Sequence, residues 1–264
     1  MARLCPLFSG SKGNSIYVES KNRGILVDAG RSAKQVEKAL FENNIDIKNI
    51  NGIFLTHEHS DHISGVKVLA SRYGIKVFAS KGTMSAIQKL GILNGKFPFE
   101  VVESCGVEVS NMFIKPFKTP HDSLESTGYI IETSDSKRAV VATDIGYISD
   151  AVKDAITGAD TVVIESNHDV KMLQNGPYPY FLKKRILSNT GHLSNESCAD
   201  MLPFFIKNGT TRFILAHLSQ ENNMPDLAYQ TAICNLAMHK MKENIDFSLD
   251  VAPVQNFGEK NLVF

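Results

Sequence analysis

Short apolar runs, many of them rich in Val, Ile and Phe, alternate along the chain with stretches whose apolar residues recur at helical spacing. The runs predict strands over residues 15–19, 24–27, 52–55, 76–79, 112–117, 129–133, 139–142, 161–165, 212–215 and 247–251. The helical spacing predicts helices over residues 32–42, 63–73, 83–90, 180–187, 195–207 and 225–241. Ser32 and Gln35 stand at capping-box spacing, and Gly209 falls just past a helix end, where a C-terminal stop belongs. No repeat, low-complexity tract or flexible linker interrupts the pattern. The chain reads as a single domain over residues 1–264, of α/β (α+β) class. Strands with helices on both sides suggest two sheets packed together with helices outside.

Composition narrows this picture. Of 264 residues, 43% are hydrophobic, enough for a sizeable core. The 28 basic residues balance 28 acidic ones, so no overall field draws polyanions, and any nucleic-acid contact must use a local patch. Cys5, Cys105, Cys198 and Cys234 lie far apart and form no Cys-x-x-Cys pair. That argues against a thiolate metal knot or a disulfide framework and fits a reducing cytoplasm. No apolar run reaches membrane-spanning length, and the N-terminus lacks a signal-like stretch, so a membrane partner is not expected. A homo-oligomer is compatible with all of this.

Several predicted strands run into a possible metal ligand or acid. These are Asp28 after 24–27, His57 after 52–55, His121 after 112–117, Asp144 after 139–142, His168 after 161–165 and His217 after 212–215. Loops on a rigid scaffold are where sites usually lie. The densest group is Thr56-His57-Glu58-His59-Ser60-Asp61-His62. Imidazole nitrogens and carboxylate oxygens suit zinc, iron and manganese, and this loop offers more ligands than one ion takes from so short a segment. The reading is a shared cluster, with His57 and His59 on one ion and Asp61 and His62 on the other. Two ions ~3.5–4 Å apart need a bridging group, and Asp144 is the best candidate. Asp61 alone would suffice to cap the following helix, but capping needs no three histidines. A carboxylate behind a ligand loop fixes its histidines by hydrogen bonds, and Asp28 suits that role, as it does a plain turn. His192, in Thr190-Gly191-His192-Leu193-Ser194-Asn195, is a candidate proton donor or phosphate contact, with local capping as the plainer reading. His239 receives no role.

The run His57 to His62, followed by Gly65, resembles the His-x-His-x-Asp-His signature of the metallo-β-lactamase fold. Asp28, His121, Asp144 and His217 follow in the order of that family's other motifs. The resemblance spans essentially the whole chain and implies a four-layer αββα sandwich with two divalent ions (Zn, Mn or Fe). It places His57, His59, His121 and Asp144 on the first ion, and Asp61, His62, Asp144 and His217 on the second. Asp144 as bridge resembles the phosphodiesterase, nuclease and glyoxalase II branches, the start Ser9-Gly10-Ser11-Lys12-Gly13-Asn14 resembles nuclease and phosphodiesterase members, and the pair Gly191-His192 resembles the ribonuclease Z branch. The segments Glu165-Ser166-Asn167-His168-Asp169, Gly176-Pro177-Tyr178-Pro179 and 191–195 look like the YycJ/WalJ family, described as 5′→3′ exonucleases on duplex DNA.

Only 47 residues lie between Asp144 and His192, which leaves no room for the large inserted domain of β-CASP nucleases. A long tRNA-gripping arm is also missing. In its place stand Tyr178, Tyr180 and Phe181, suited to stacking on bases, and Lys183, Lys184 and Arg185, suited to phosphates. A solvated basic helix face explains them equally well. Glu165 and His168 fall to a supporting or substrate-contacting role. The expected chemistry is attack of an activated water on phosphorus, with Asp61 orienting the water and His192 meeting or protonating an oxygen. The rivals are a PhnP-like phosphodiesterase for small or cyclic phosphates, a glyoxalase II-like thioester hydrolase and a non-enzymatic module on the same fold. Neutral charge and the missing arm favour the PhnP-like reading, while the basic-aromatic segment favours a nucleic-acid substrate, DNA by resemblance.

Overall fold

A computed structural model describes residues 2–258 and 260–264. The chain forms two compact units: Met1–Phe117 with Ser123–Lys137 and Pro253–Phe264, and Lys118–Asp122 with Arg138–Ala252.

The first unit opens with three antiparallel strands, β1 (Arg3–Phe8), β2 (Ser15–Ser20) and β3 (Arg23–Val27). From β3 the pairing turns parallel through β4 (Ile50–Phe54), β5 (Lys76–Ala79) and β6 (Phe99–Val101). Parallel neighbours cannot be joined by a tight turn, and helices make the crossings. They are α1 (Ala33–Glu42), then α2 (Ser60–Ile63) with α3 (Val66–Tyr73), then α4 (Lys81–Lys89). In α1 the buried Ala33, Val36, Ala39 and Leu40 follow the i, i+3, i+6, i+7 spacing of one helical face, and the Ser32 hydroxyl caps the Gln35 N–H. That face joins Ile53, Leu55 and Val77 in one core, where a fully buried Leu or Val contributes roughly 1.5–3 kcal/mol. β7 (Val107–Val109) and β8 (Met112–Lys118) make an antiparallel pair, with β9 (Thr127–Thr133) beside β8.

The second unit is built on four parallel strands, β10 (Arg138–Ala142), β11 (Thr161–Glu165), β12 (Arg212–Ala216) and β13 (Ser248–Val251). α5 (Asp150–Ile156) crosses from β10 to β11. α6 (Val170–Asn175), α7 (Tyr180–Ile186) and α8 (Asn195–Lys207) lie between β11 and β12, and α9 (Pro225–Met238) precedes β13. β11, Thr-Val-Val-Ile-Glu, is buried along its whole length, as a strand covered on both faces must be. Parallel register sets the C-terminal ends of β10, β11 and β12 along one edge, with Ala142 opposite Ile164 and Glu165 opposite Ala216. A final strand, β14 (Leu262–Val263), returns to the first unit beside β1.

Some elements depart from the sequence reading. The helix expected over 63–73 is broken into α2 and α3, because the Gly65 N–H bonds the Ala29 carbonyl. A Cβ on Gly65 would lie 2.4 Å from the Arg31 carbonyl oxygen. β1 was not expected. Its Pro6 interrupts the strand pattern and is accommodated where the register with β2 shifts. The unforeseen α5 and α6 are short helices started by side-chain caps from Ser149 and Asp169. The cysteines are free, with Cys5 and Cys198 buried. Among the described residues no helix is long and apolar enough to cross a membrane.

Candidate metal-binding clusters

In the first unit, β3 delivers Asp28 and β4 delivers Thr56 and His57 to the same strand ends. Asp28 is buried and sits at φ 63°, a left-handed conformation that costs a non-glycine residue energy. Its Oδ1 accepts the Thr56 N–H (2.9 Å), and its Oδ2 accepts the Thr56 hydroxyl (2.8 Å) and stands 2.8 Å from His62 Nδ1. Burial raises the Asp28 pKa, with His62 and Thr56 opposing. Because the Thr56 hydroxyl spends its proton on Asp28, it can only accept from His57 Nδ1, 3.0 Å away. His57 and His62 therefore both carry their proton on Nδ1 and a lone pair on Nε2. His57 Nε2 faces His59 Nδ1 at 3.0 Å, and His62 Nε2 lies 3.4 Å from Asp61 Oδ2. Asn14 Nδ2 reaches both His62 Nε2 (3.1 Å) and Asp61 Oδ2 (3.3 Å). The loop lies hard against the turn after β3, and a Cβ on Gly30 would stand 1.6 Å from the Asp61 carbonyl oxygen. Only glycine admits that approach. Glu58 turns elsewhere and accepts the Leu124 N–H.

In the second unit the hub is Glu165, fully buried at the end of β11. Its Oε1 lies 2.8 Å from His192 Nδ1 and 2.7 Å from His217 Nδ1, and its Oε2 accepts the N–H groups of Ile145 (2.7 Å) and Leu193 (3.2 Å). Burial alone would raise its pKa. The charges and hydrogen bonds of His192 and His217 outweigh burial and hold the carboxyl well below its usual range. Asp144 (φ 57°) and His217 (φ 57°) share the left-handed backbone of Asp28. His121 presents Nδ1 to the Gly191 carbonyl (3.1 Å), which leaves Nε2 on the side of Asp144 Oδ1, 3.7 Å away. Burial lowers the His121 pKa and so favours the neutral ring. Asp144 Oδ1 lies 3.5 Å from His217 Nδ1. Asp144, Glu165, His192 and His217 each bring one donor atom within 4.8 Å of the others.

These donors fit divalent metal binding. A ligating histidine needs its second nitrogen held by a carboxylate, carbonyl or other acceptor, which fixes the tautomer. His57 on Thr56, His62 on Asp28, His121 on Gly191 and His217 on Glu165 all meet that condition through Nδ1. Nitrogen and oxygen donors without thiolate accept zinc, manganese or iron.

The other candidates have these surroundings. His168 is buried, its ring nitrogens have no hydrogen-bond partner among the described residues, and burial lowers its pKa to about 4. Tyr178 is half-buried, Lys183 Nζ donates to the Gln174 carbonyl, and Arg185 pairs with Asp122. Sequence reasoning missed the coupling roles of Asn14 and Thr56, and it ranked Glu165 low. One signal for Glu165 was available: a charged residue closing an apolar strand is costly to bury unless partnered.

The family described as Beta-lactamase superfamily domain matches residues 23–218. Exodeoxyribonuclease WalJ of Streptococcus pneumoniae serotype 2 is 39% identical over 253 residues, covering 94% of this chain and 93% of that protein. The chain belongs to the WalJ family of the β-lactamase superfamily. A second relative, Exodeoxyribonuclease YycJ of Bacillus anthracis, is 42% identical over 227 residues, covering 84% of each chain. The crystal structure of the metallo-β-lactamase fold protein YhfI from Bacillus subtilis shares the fold. Its TM-score is 0.73 at 16% identity, over 97% of this chain and 98% of that one. The two-sheet α/β fold expected from the sequence is thus the one found, and this WalJ-family chain is a hydrolase-superfamily member with clustered metal-ligand chemistry.

Proposed function

We propose that this WalJ-family chain is a metal-dependent exodeoxyribonuclease acting 5′→3′ on duplex DNA, with its two units working as one catalytic domain. The free, widely spaced cysteines suit the cytoplasm as its place of action. In this reading His57, His59, His121 and Asp144 would hold one divalent ion, and Asp61, His62, Asp144 and His217 would hold another. The substrate follows from the relatives named exodeoxyribonucleases, at 39–42% identity.

The observation that carries the chemistry is the double grip of Glu165 on His192 and His217. One carboxylate orients a candidate ligand and a candidate acid together. Bound divalent ions would supply Lewis acidity, a water of lowered pKa and compensation for charge building on phosphoryl oxygens. Glu165 fixes the His192 proton on Nδ1 and stabilises the imidazolium once Nε2 is also protonated. His192 then gives the Nε2 proton to the leaving oxygen. Asp61 orients the attacking water from beside His62, while Asn14 steadies the Asp61 carboxylate. Asp28 keeps His62 and, through Thr56, His57 in a single tautomer.

The test is degradation of end-labelled duplex DNA by metal-free protein with Zn, Mn or Fe added back, beside bis-p-nitrophenyl phosphate and cyclic nucleotides. Stepwise shortening from the 5′ end, restored by at least one ion and abolished by chelator, is expected. Hydrolysis of the small esters with intact DNA would instead establish the small-phosphodiester reading.

A further inference from the structure

The helix α7 carries a feature that the proposed chemistry does not use. Tyr180 and Phe181 are adjacent, and they are 81% and 73% exposed. Single exposed apolar residues are ordinary, but two neighbouring aromatics forgo a large burial gain. Their helix is also anchored at a telling place. The His192 N–H bonds the Ile186 carbonyl at 2.9 Å, at the far end of α7. A Cβ on Gly191 would lie 2.2 Å from that same carbonyl oxygen, so the His192 loop and the helix end are in direct backbone contact. Arg185 pairs with Asp122, the neighbour of His121, and the Asp122 N–H bonds the Thr190 carbonyl. α7 is therefore tied at its C-terminal end to the segment that carries the candidate acid, and the exposed aromatics stand at its other end.

Charge selects the occupant. From residue 170 to residue 195 the chain has no Asp or Glu; of its cations there, Arg185 pairs with Asp122 and Lys183 donates to the Gln174 carbonyl, and the other two are Lys171 and Lys184. Lys184 is exposed on α7 itself. A polyanion with flat bases satisfies both the exposed cation and the exposed aromatics.

We propose that the exposed end of α7 is a nucleic-acid platform. Tyr180 and Phe181 stack on unpaired bases of a frayed or overhanging strand end, and Lys184 meets its phosphates. The proposal rests on the nuclease reading above. At 1.5 Å per residue, the span from Tyr180 to Ile186 is about 9 Å. With roughly 3.4 Å per nucleotide along a strand, the stacked bases fall about two to three nucleotides from the phosphate that meets His192. Stacking on aromatic faces is tolerant of sequence, so the platform would read strand ends rather than base order.

The experiment is fluorescence anisotropy of metal-free, full-length protein with a labelled duplex bearing a short single-stranded overhang. The combined Tyr180→Ala, Phe181→Ala variant should raise Kd at least tenfold, while Tyr180→Phe stays near wild type. Lys184→Ala should lower the salt dependence by about one counterion. The platform is overturned if the double variant binds within twofold of wild type. It is equally overturned if light scattering shows a wild-type dimer that the double variant dissolves. Wild-type protein that neither binds nor shortens DNA would overturn the nuclease reading, and the platform with it.

Discussion

Glu165 shows how one side chain can set the chemistry of two others. Its Oε1 holds both His192 and His217, and its Oε2 takes two backbone N–H groups, so a buried carboxylate is satisfied on every side. In the proposed mechanism only His192 moves a proton to substrate. His192→Ala should therefore lower kcat by roughly 10²–10⁴, measured as the rate of nucleotide release under saturating DNA, with bound metal per chain unchanged. His168 offers an independent check on the burial around it. Its folded pKa is lowered to about 4 from an ordinary 6.5, so the unfolded chain binds its proton first as pH falls. Its contribution is present above pH 6.5 and is lost as pH drops from 6.5 towards 4. Urea unfolding of metal-free protein across that window should show a stability slope that His168→Gln flattens. An equal slope in both proteins would contradict the assignment. The sequence carried the residue types at this scale but not their pairing, because the partners of Glu165 lie 27 and 52 positions away.

Among the elements, legibility followed local pattern. β11 and α1 were readable, one as an unbroken Val/Ile run and the other as an apolar face with a capping serine. β1 was hidden by Pro6, and the break between α2 and α3 by a contact between Gly65 and the distant turn at Ala29. Asp28, Asp144 and His217 were recognisable as possible ligands or supports at strand ends, but their shared left-handed φ was not. Nothing local in the sequence demands it. The strain is held by long-range bonds, and such strain clusters where geometry matters more than stability. The approach of α7 to the His192 loop is equally non-local. Gly191→Ala sets a Cβ 2.2 Å from the Ile186 carbonyl and should destabilise the protein by roughly 1–3 kcal/mol. Denaturant titration would register this as a lower midpoint, and DNA turnover should fall with it. An unchanged midpoint would mean that the contact is relieved without cost.

For the whole molecule, the fold was readable because both units repeat one logic: parallel strands, helical crossings, and chemistry at the strand ends. The division into two interleaved units was not readable, since no linker or change of composition marks it. The proposed ligands come from both units. The decisive measurement is metal bound per chain, by mass spectrometry, on wild type, His57→Ala and His217→Ala. Two ions in the wild type and a clear loss in each variant, one altered in each unit, are the predicted result. Full loading retained in both variants would contradict a metal centre built from these histidines.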